Sequence, residues 1–232
     1  MKVMAYAAMS AKGKLEPFEY DPGLLMANEV ELAVSHCGIC YSDLAMIDDD
    51  WGRSDYPLVP GHEVIGTIVA TGPEVGERVK VGQRVGVGWQ CAACGHCEWC
   101  GREKENLCAD QKRTIVGHHG GWADRLRCHG KFAVPLPEAL PSEDAGPLMC
   151  AGSAVFTAMV EFGVRPWMRT AVLGVGGLGH LAVQFLAKMG CEVTAISSSH
   201  DKDAEALKLG ATRFLATRGT DELKKAAGST DA

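Results

Sequence analysis

Hydrophobic and polar residues alternate in short runs through the first 140 residues, and Gly and Pro separate these runs. Runs of this kind, rich in β-branched residues and bounded by turn residues, are typical of β-strands. The pattern therefore predicts a β-rich first part, with strands at 29–36, 64–72, 84–89 and 132–136.

After about residue 140 the pattern becomes helical. Ser142 in PSEDAG has the side chain of a helix N-cap, and an apolar helix is expected from about Met149 to Phe162. From Arg169 onward, short apolar strands at 170–173, 191–197 and 211–217 alternate with helices, one opening at the glycine-rich segment and one at 201–210. Strand–helix alternation predicts a parallel sheet with right-handed crossovers. The fold class is thus α/β with a β-rich first part.

The glycine-rich segment GVGGLG at 174–179 follows a predicted strand and opens a predicted helix. Gly174 permits a tight turn, Gly176 lets the backbone approach a pyrophosphate, and Gly179 allows close packing of helix on strand. The helix N-terminus then presents N–H groups and a partial positive charge to phosphate. We expect a dinucleotide here, with Gly177 and Leu178 also in contact with it.

The choice of dinucleotide is made at the end of the second strand, where NAD enzymes place an acidic residue for the ribose 2′-OH. This chain has no acid at the strand end. Hydroxyls and an ammonium can instead hold a 2′-phosphate, which favours NADP. The groups concerned are Ser197, Ser198, Ser199 and Lys202.

The composition and net charge of the chain exclude some classes of binding partner. The 232 residues are 47% hydrophobic and carry a net charge of −6, which disfavours nucleic acid and anionic membranes. The N-terminal segment has no signal-peptide core, and no apolar run approaches the ~20 residues of a membrane span. A cytoplasmic protein is expected, so the ten cysteines point to metal or thiol chemistry rather than disulfides.

Four of these cysteines are closely spaced, in the pattern C-x2-C-x2-C-x7-C. Such a local, closed set predicts a structural zinc that organises a lobe with little core of its own. Its ligands are Cys94, Cys97, Cys100 and Cys108. Paired redox cysteines are the alternative.

Three further ligand-type residues, Cys40, His62 and Cys150, lie far apart in the chain. Three protein ligands leave a tetrahedral zinc one open position, which is typical of a catalytic zinc that polarises a bound alcohol. A second zinc is therefore predicted. The remaining cysteines, Cys37, Cys91, Cys128 and Cys191, are expected to be small buried residues.

Polar neighbours of these ligands are candidate catalytic residues. Ser42, two residues after Cys40, is placed to accept the hydroxyl proton. Asp43 is a candidate acceptor that orients His62, and Glu63 is expected behind the metal. Trp51, Tyr56 and Ile115 are possible walls of an apolar substrate pocket, with ordinary core positions as the alternative.

The motifs GHEVIG, CGICYSDL, CGHCEWC-x7-C, MCAG and GVGGLG, in this chain order, resemble those of zinc-containing medium-chain alcohol dehydrogenases. Within that family the chain is most similar to bacterial enzymes of the cinnamyl-alcohol-dehydrogenase type, whose NADP-binding members carry the SSS-x2-K segment. The resemblance extends from residue 2 to about 217.

The resemblance implies a GroES-like β-barrel catalytic domain at 1–152 and the first half of a Rossmann coenzyme domain at 153–232. It also implies reversible reduction of aldehydes to primary alcohols, and a homodimer at full length. Three positions depart from many relatives: Tyr41 and Ala45 stand where a His is common, and Ala154 where a Thr is common. We therefore expect the proton relay to run from Ser42 to the cofactor ribose and water.

Only three Rossmann strands are present, so we expect either a fragment of a longer protein or a partner chain that supplies the rest. In the strand order 3-2-1-4-5-6, the strand at 170–173 would then be an open apolar edge. Residues 1–232 alone are expected to lack turnover. Two alternatives to the NADP-dependent dehydrogenase stay open: a polyol dehydrogenase, and a non-catalytic zinc-binding fragment.

Overall fold

The computed structural model describes residues 2–232 and separates into two compact units, Met1–Cys150 and Ala151–Ala232. Each unit has hydrophobic clusters of its own. Both zinc-ligand sets belong to the first unit, and the glycine-rich segment belongs to the second.

The first unit is mostly β-structure, as its alternating pattern predicted. It contains nine strands and three short α-helices among the described residues. The strands are β1 (Val3–Ala8), β2 (Leu15–Tyr20), β3 (Glu29–Cys37), β4 (Val64–Thr71), β5 (Arg84–Val87), β6 (Gln90–Ala92), β7 (Lys112–Arg113), β8 (Arg125–His129) and β9 (Val134–Pro135), and the helices are α1 (Tyr41–Asp48), α2 (Glu98–Gly101) and α3 (Ser142–Ala145). Single 3₁₀ turns lie at Glu105–Leu107, Gly130–Phe132 and Gly146–Met149.

Five strands form one antiparallel sheet in the order β8-β3-β4-β5-β9. Val30 and Leu32 of β3, Val64 and Ile68 of β4, and Val85 of β5 are fully buried on its inner side. The expected barrel is not closed within residues 2–232, because β8 and β9 remain sheet edges and β1–β2 form a separate pair. Isolated bridges, Ala5 to Ala123 and Ala8 to Leu58, attach β1 to neighbouring loops.

Two local expectations about this unit were wrong. The predicted strand at 132–136 shrinks to the two residues of β9, because the 3₁₀ turn Gly130–Phe132 takes up its first residue and only Val134 and Pro135 pair with β5. Ser142 is the first residue of α3 rather than its N-cap, which is Pro141. The Ser142 hydroxyl accepts a hydrogen bond from Arg84 Nη1 at 3.0 Å instead.

The second unit alternates helices and parallel strands. It contains α4 (Ala151–Glu161), β10 (Arg169–Leu173), α5 (Gly177–Met189), β11 (Glu192–Ser197), a 3₁₀ turn (His200–Lys202), α6 (Asp203–Lys208), β12 (Arg213–Ala216) and α7 (Glu222–Lys225). The strands pair in parallel in the order β10-β11-β12. The described residues thus contain the three predicted strands of a partial Rossmann sheet.

Helix α5 packs through Leu181, Val183 and Leu186, which are buried. Leu178, which was expected to contact the dinucleotide, lies in the first turn of α5 and is 54% exposed. The C-terminal cap is Gly190, whose φ of 100° is left-handed.

The edge of β10 is partly paired rather than open. Ala232 donates its N–H to Arg169 O at 3.3 Å and accepts from Ala171 N at 2.7 Å, which is the bonding of a parallel bridge. The Arg169 guanidinium also binds the Asp231 carboxylate, with Nη2 to Oδ1 at 2.7 Å. The far end of β10 stays exposed at Leu173.

Candidate metal centres and cofactor loop

The scattered ligand set converges at one point of the first unit. Cys40 precedes α1, His62 precedes β4, and Cys150 follows the 3₁₀ turn Gly146–Met149. Their ligand atoms, together with a carboxylate oxygen of Glu63, all lie within 4.8 Å of one another. His62 Nε2 is 3.3 Å from Cys150 Sγ, close to the about 3.5 Å that two such ligands have around a tetrahedral zinc.

Asp43 fixes the orientation of His62. Its Oδ1 lies 2.9 Å from His62 Nδ1, and both side chains are fully buried. The same carboxylate accepts the backbone N–H of Gly61 at 2.8 Å and of Cys40 at 3.0 Å. Because Nδ1 is engaged as a donor to the carboxylate, the lone pair of Nε2 is free to face the other ligands.

Glu63 follows His62 directly and contributes a carboxylate oxygen to the ligand set. The chain turns tightly here, because Gly38 N donates to Glu63 O at 3.0 Å. A Cβ at Gly38 would be 2.0 Å from Glu63 Oε2. The set therefore offers four donor groups, one more than the sequence analysis assigned.

The Ser42 hydroxyl lies beside this set. Its Oγ is 3.7 Å from Cys40 Sγ, on the first turn of α1. Tyr41 points to solvent at 73% exposure, whereas Ala45 is buried on the inner face of the same helix. The inner face of this helix therefore offers only a methyl group at position 45.

The charges within the set of Cys40, His62, Glu63 and Cys150 favour the binding of a cation. Burial, followed by the neighbouring Cys40 thiolate and Glu63 carboxylate, raises the pKa of Cys150 to about 12. Burial and Asp43 likewise raise the pKa of Glu63. Thiolates and carboxylates crowded in a buried pocket are stable only when a positive charge compensates them. The donor atoms, their separations and their charges all fit zinc.

An aromatic side chain that the sequence analysis missed lies against the ligand histidine. The Trp89 ring packs edge-on to His62, with centroids 5.1 Å apart and planes at 87°. Trp51, an expected pocket wall, packs against Trp89 at 6.0 Å. Ile115 and Tyr56 contribute to the core cluster around Met46 and Leu58, and Tyr56 donates its hydroxyl to Ile47 O at 2.8 Å.

The closed set is assembled by β6, α2 and the turn before β7. The sulfur atoms of all four cysteines lie within 4.8 Å of one another. Cys94 Sγ and Cys100 Sγ are 3.9 Å apart, against about 3.8 Å for two thiolates on a tetrahedral zinc. Cys97 N–H donates to Cys94 Sγ at 3.4 Å. Backbone N–H groups of His96 and Cys97 lower the pKa of Cys94 to about 6, which favours the thiolate form that binds metal.

The remaining four cysteines are structural. Cys91, Cys128 and Cys191 are buried, and Cys37 is partly buried against the sheet core. Burial raises the pKa of Cys37 to about 12 and that of Cys91 to about 11, so their thiols stay protonated. All ten cysteines are free of disulfides.

The glycine-rich loop has the local geometry that its sequence suggested. Gly174 has a φ of 90°, which favours glycine, and makes the turn out of β10. A Cβ at Gly179 would be 1.8 Å from Gly174 O, so only glycine allows α5 to pack this close. At Gly176 and Gly177 a Cβ would meet nothing within 4 Å, so the loop backbone borders open space.

The serine segment after β11 lies beside this loop. Lys202 donates its ammonium to Val175 O, inside the loop, at 2.5 Å. Ser199 donates its hydroxyl to Asp201 Oδ2 at 2.8 Å. The expected lysine therefore reaches the phosphate loop, while one of the three expected serines is engaged by a neighbouring acid.

No helix among residues 2–232 has both the length and the apolarity that crossing a membrane requires.

The sequence matches known families over most of its length. Residues 26–138 match the family described as "Alcohol dehydrogenase GroES-like domain", and residues 177–232 match "Zinc-binding dehydrogenase". The chain is 52% identical over 234 residues to "Aldehyde reductase AdhA" of Synechocystis sp., covering 99% of this chain and 68% of that protein. This chain belongs to the zinc-containing medium-chain alcohol dehydrogenases.

Solved structures agree with this membership. A cinnamyl alcohol dehydrogenase from Sorghum bicolor superposes with a TM-score of 0.93 at 37% identity, over 100% of this chain and 68% of that one. The cinnamyl alcohol dehydrogenase of Helicobacter pylori, solved with NADP(H), gives 0.85 at 27% identity, over 92% and 64% of the two chains. The resemblance to this oxidoreductase family is thus confirmed, and this dehydrogenase spans about two thirds of the length of its relatives.

Proposed function

We propose that this dehydrogenase interconverts aldehydes and primary alcohols with NADP(H), through a catalytic zinc held by Cys40, His62 and Cys150. The observation that carries the proposal is the buried hydrogen bond from His62 Nδ1 to Asp43, which leaves Nε2 facing Cys150 Sγ at 3.3 Å. A ligand histidine usually donates its other ring N–H to a carboxylate or carbonyl, which fixes the ring orientation, and three protein ligands would leave a tetrahedral zinc one position for substrate. A second, structural zinc is proposed at the closed cysteine set.

The zinc supplies a Lewis acid and the nicotinamide supplies or accepts hydride when both are bound. Residues of this chain supply the metal ligands and transfer the proton. Cys40 and Cys150 contribute thiolates, and Ser42, close to Cys40 Sγ, is the hydroxyl that takes the proton from the alcohol or returns it to the product. Because Ala45 offers no side-chain acceptor, the proton passes from Ser42 to water or the cofactor ribose. Glu63 would offer the zinc a fourth, carboxylate donor beside the two cysteines and His62.

NADP(H) is proposed over NAD(H) because no acid lies at the end of β11 to accept the ribose 2′-OH. Ser197 and Ser198 offer hydroxyls there, and the Lys202 ammonium lies at the glycine-rich loop. The only acid in the intervening 3₁₀ turn, Asp201, is held by the Ser199 hydroxyl.

The substrate is proposed to be an apolar, aliphatic or aromatic, aldehyde. Trp89 packs on His62 and Trp51 packs on Trp89, so an aromatic wall borders the ligand set. Such a wall favours ring or chain carbon over the hydroxyls of a polyol. A homodimer of the full-length protein and a cytoplasmic location remain predictions.

The test is NADPH oxidation by the zinc-loaded full-length protein with aromatic and aliphatic aldehydes, beside polyol oxidation with NAD and NADP. We expect aldehyde reduction with NADPH that Cys40→Ser abolishes. Efficient polyol oxidation with NAD would favour the polyol dehydrogenase instead. Two equivalents of bound zinc without turnover on any substrate would favour the non-catalytic alternative for this chain.

A further inference from the structure

We propose that Arg218 is a second cation of the 2′-phosphate subsite, flanking the serine segment on the side away from Lys202. The proposal rests on the proposed use of NADP(H) and names a residue outside the Ser197–Lys202 segment that determines it. Arg218 follows β12, the strand next to β11 in the sheet.

The backbone places Arg218 directly beside the serines. Thr217 N donates to Ser197 O at 3.0 Å, and Arg218 N donates to Ser198 O at 3.0 Å. The first bond belongs to the last pair of the parallel ladder between β11 and β12, Ser197 with Ala216, and the second joins the next residue of each segment just beyond it. Neighbouring strands lie about 4.8 Å apart, so the backbone of Arg218 lies one strand spacing from the serine segment, a distance that an arginine side chain is long enough to span.

Side-chain hydrogen bonds also hold the turn that contains Arg218. Glu222 accepts the N–H of Ala216 at 2.8 Å and also binds His200 Nε2 at 3.1 Å. His200 in turn approaches Asp203 through Nδ1 at 3.6 Å. The backbone around Arg218 is therefore linked to the serine segment both by its own hydrogen bonds and through Glu222 and His200. The His200 ring lies between the carboxylates of Glu222 and Asp203.

The Arg218 guanidinium has no partner within the described residues. Arg218 is exposed, and among residues 2–232 its side chain forms no hydrogen bond or ion pair. Arg169 of the same unit differs, because its guanidinium binds the Asp231 carboxylate. A cation with a fixed backbone and a free head group at the carboxyl end of a parallel sheet is available to a ligand.

A 2′-phosphate needs such a group. A phosphomonoester carries about −1.5 to −2 charges and three acceptor oxygens at pH 7. The serine segment offers the hydroxyls of Ser197 and Ser198, since Ser199 is engaged by Asp201, and a single cation, Lys202, whose ammonium also donates to Val175 O. A planar guanidinium donates two parallel bonds to a phosphate, which an ammonium cannot do.

The experiment measures binding of adenosine 2′,5′-bisphosphate and of adenosine 5′-monophosphate by isothermal titration calorimetry. The two probes differ only in the 2′-phosphate. The variants are Arg218→Gln and, as the matched control, Arg213→Gln. Arg213 is an exposed arginine at the opposite, amino end of β12. Thermal melts establish that both variants fold like the parent, which the exposure of both side chains leads us to expect.

We expect Arg218→Gln to weaken the bisphosphate by about tenfold, the effect of one lost charged contact to phosphate. Binding of the monophosphate should stay unchanged, and Arg213→Gln should alter neither. Unchanged bisphosphate affinity in Arg218→Gln, or an equal loss for both probes, overturns the role of Arg218 while the NADP assignment stands. If the parent protein itself does not prefer the bisphosphate, the NADP assignment fails, and the role of Arg218 fails with it.

Discussion

Asp43 and His62 form a fully buried hydrogen bond of 2.9 Å, although 19 positions separate them in the chain. Both oxygens of Asp43 also accept backbone N–H groups, from Gly61 and Cys40. One carboxylate therefore connects the turn before α1 to the turn before β4. It sets both the tautomer of one ligand and the backbone of another.

We predict that Asp43→Asn lowers zinc affinity at the catalytic set by about 10–100-fold. An amide replaces one acceptor oxygen by an NH₂ group, which would face an N–H donor. Competition with a chromophoric chelator measures the affinity, and Asp50→Asn, an exposed acid just after the same helix, is the control. Equal zinc affinity in the two variants would contradict the orienting role.

The closed set is expected to hold its own zinc. Purified parent protein should contain two zinc ions, and Cys94→Ser should contain one and unfold at a lower temperature, because the lobe between β6 and β7 depends on the metal. Elemental analysis and thermal melts check this. Cys191→Ser, which changes a buried thiol of the other unit, should keep both ions. An unchanged zinc content in Cys94→Ser would remove the structural site.

In the full-length protein, Ser42→Ala should leave the zinc content intact and lower turnover by ~10²-fold, the usual effect of a lost proton-transfer group. The Ser42 hydroxyl lies 3.7 Å from Cys40 Sγ, and Ala45 provides no alternative acceptor on the same helix. Steady-state kinetics beside metal analysis separates a lost proton acceptor from a lost metal. Full turnover in the variant would exclude Ser42 from the mechanism.

Cofactor preference should respond to a charge at the end of β11. Ser198→Asp places a carboxylate where a 2′-phosphate is proposed, so the ratio of kcat/KM for NADPH over NADH should fall by about tenfold or more. Ser198→Thr keeps a hydroxyl and should preserve the ratio. Comparable efficiency of the parent with both cofactors would speak against NADP specificity.

Replacing Gly179 by Ala and replacing Gly177 by Ala should have different effects on the free energy of unfolding. A Cβ at Gly179 meets Gly174 O at 1.8 Å, whereas one at Gly177 meets nothing within 4 Å. Gly179→Ala should therefore lower the free energy of unfolding by about 1–3 kcal/mol. Gly177→Ala should leave it unchanged or raise it by up to about 1 kcal/mol, since Ala favours a helix. Urea denaturation measures both, and equal effects would show that the close approach is relieved elsewhere.

Much of the fold and of the candidate sites could be predicted from the sequence, because the residues that indicate them have few alternative roles. Closely spaced cysteines, a glycine loop between strand and helix, and apolar periodicity are local features that depend on residue chemistry and short spacing. They predicted the β-rich first part, the three parallel strands β10–β12 and the family. Gly179 was informative for the same reason, because one missing methyl group defines the helix–strand distance.

Only the tertiary structure decided features that depend on pairing between distant segments. It brought Glu63 into the ligand set, placed Trp89 on His62, moved Ser142 out of its expected cap toward Arg84, and left the five-stranded sheet open within the described residues. It also paired Asp231 and Ala232 with the edge of β10 and set Arg218 beside Ser198. Sheet neighbours and side-chain contacts are chosen by long-range packing and hydrogen bonding, which residue spacing along the chain does not encode.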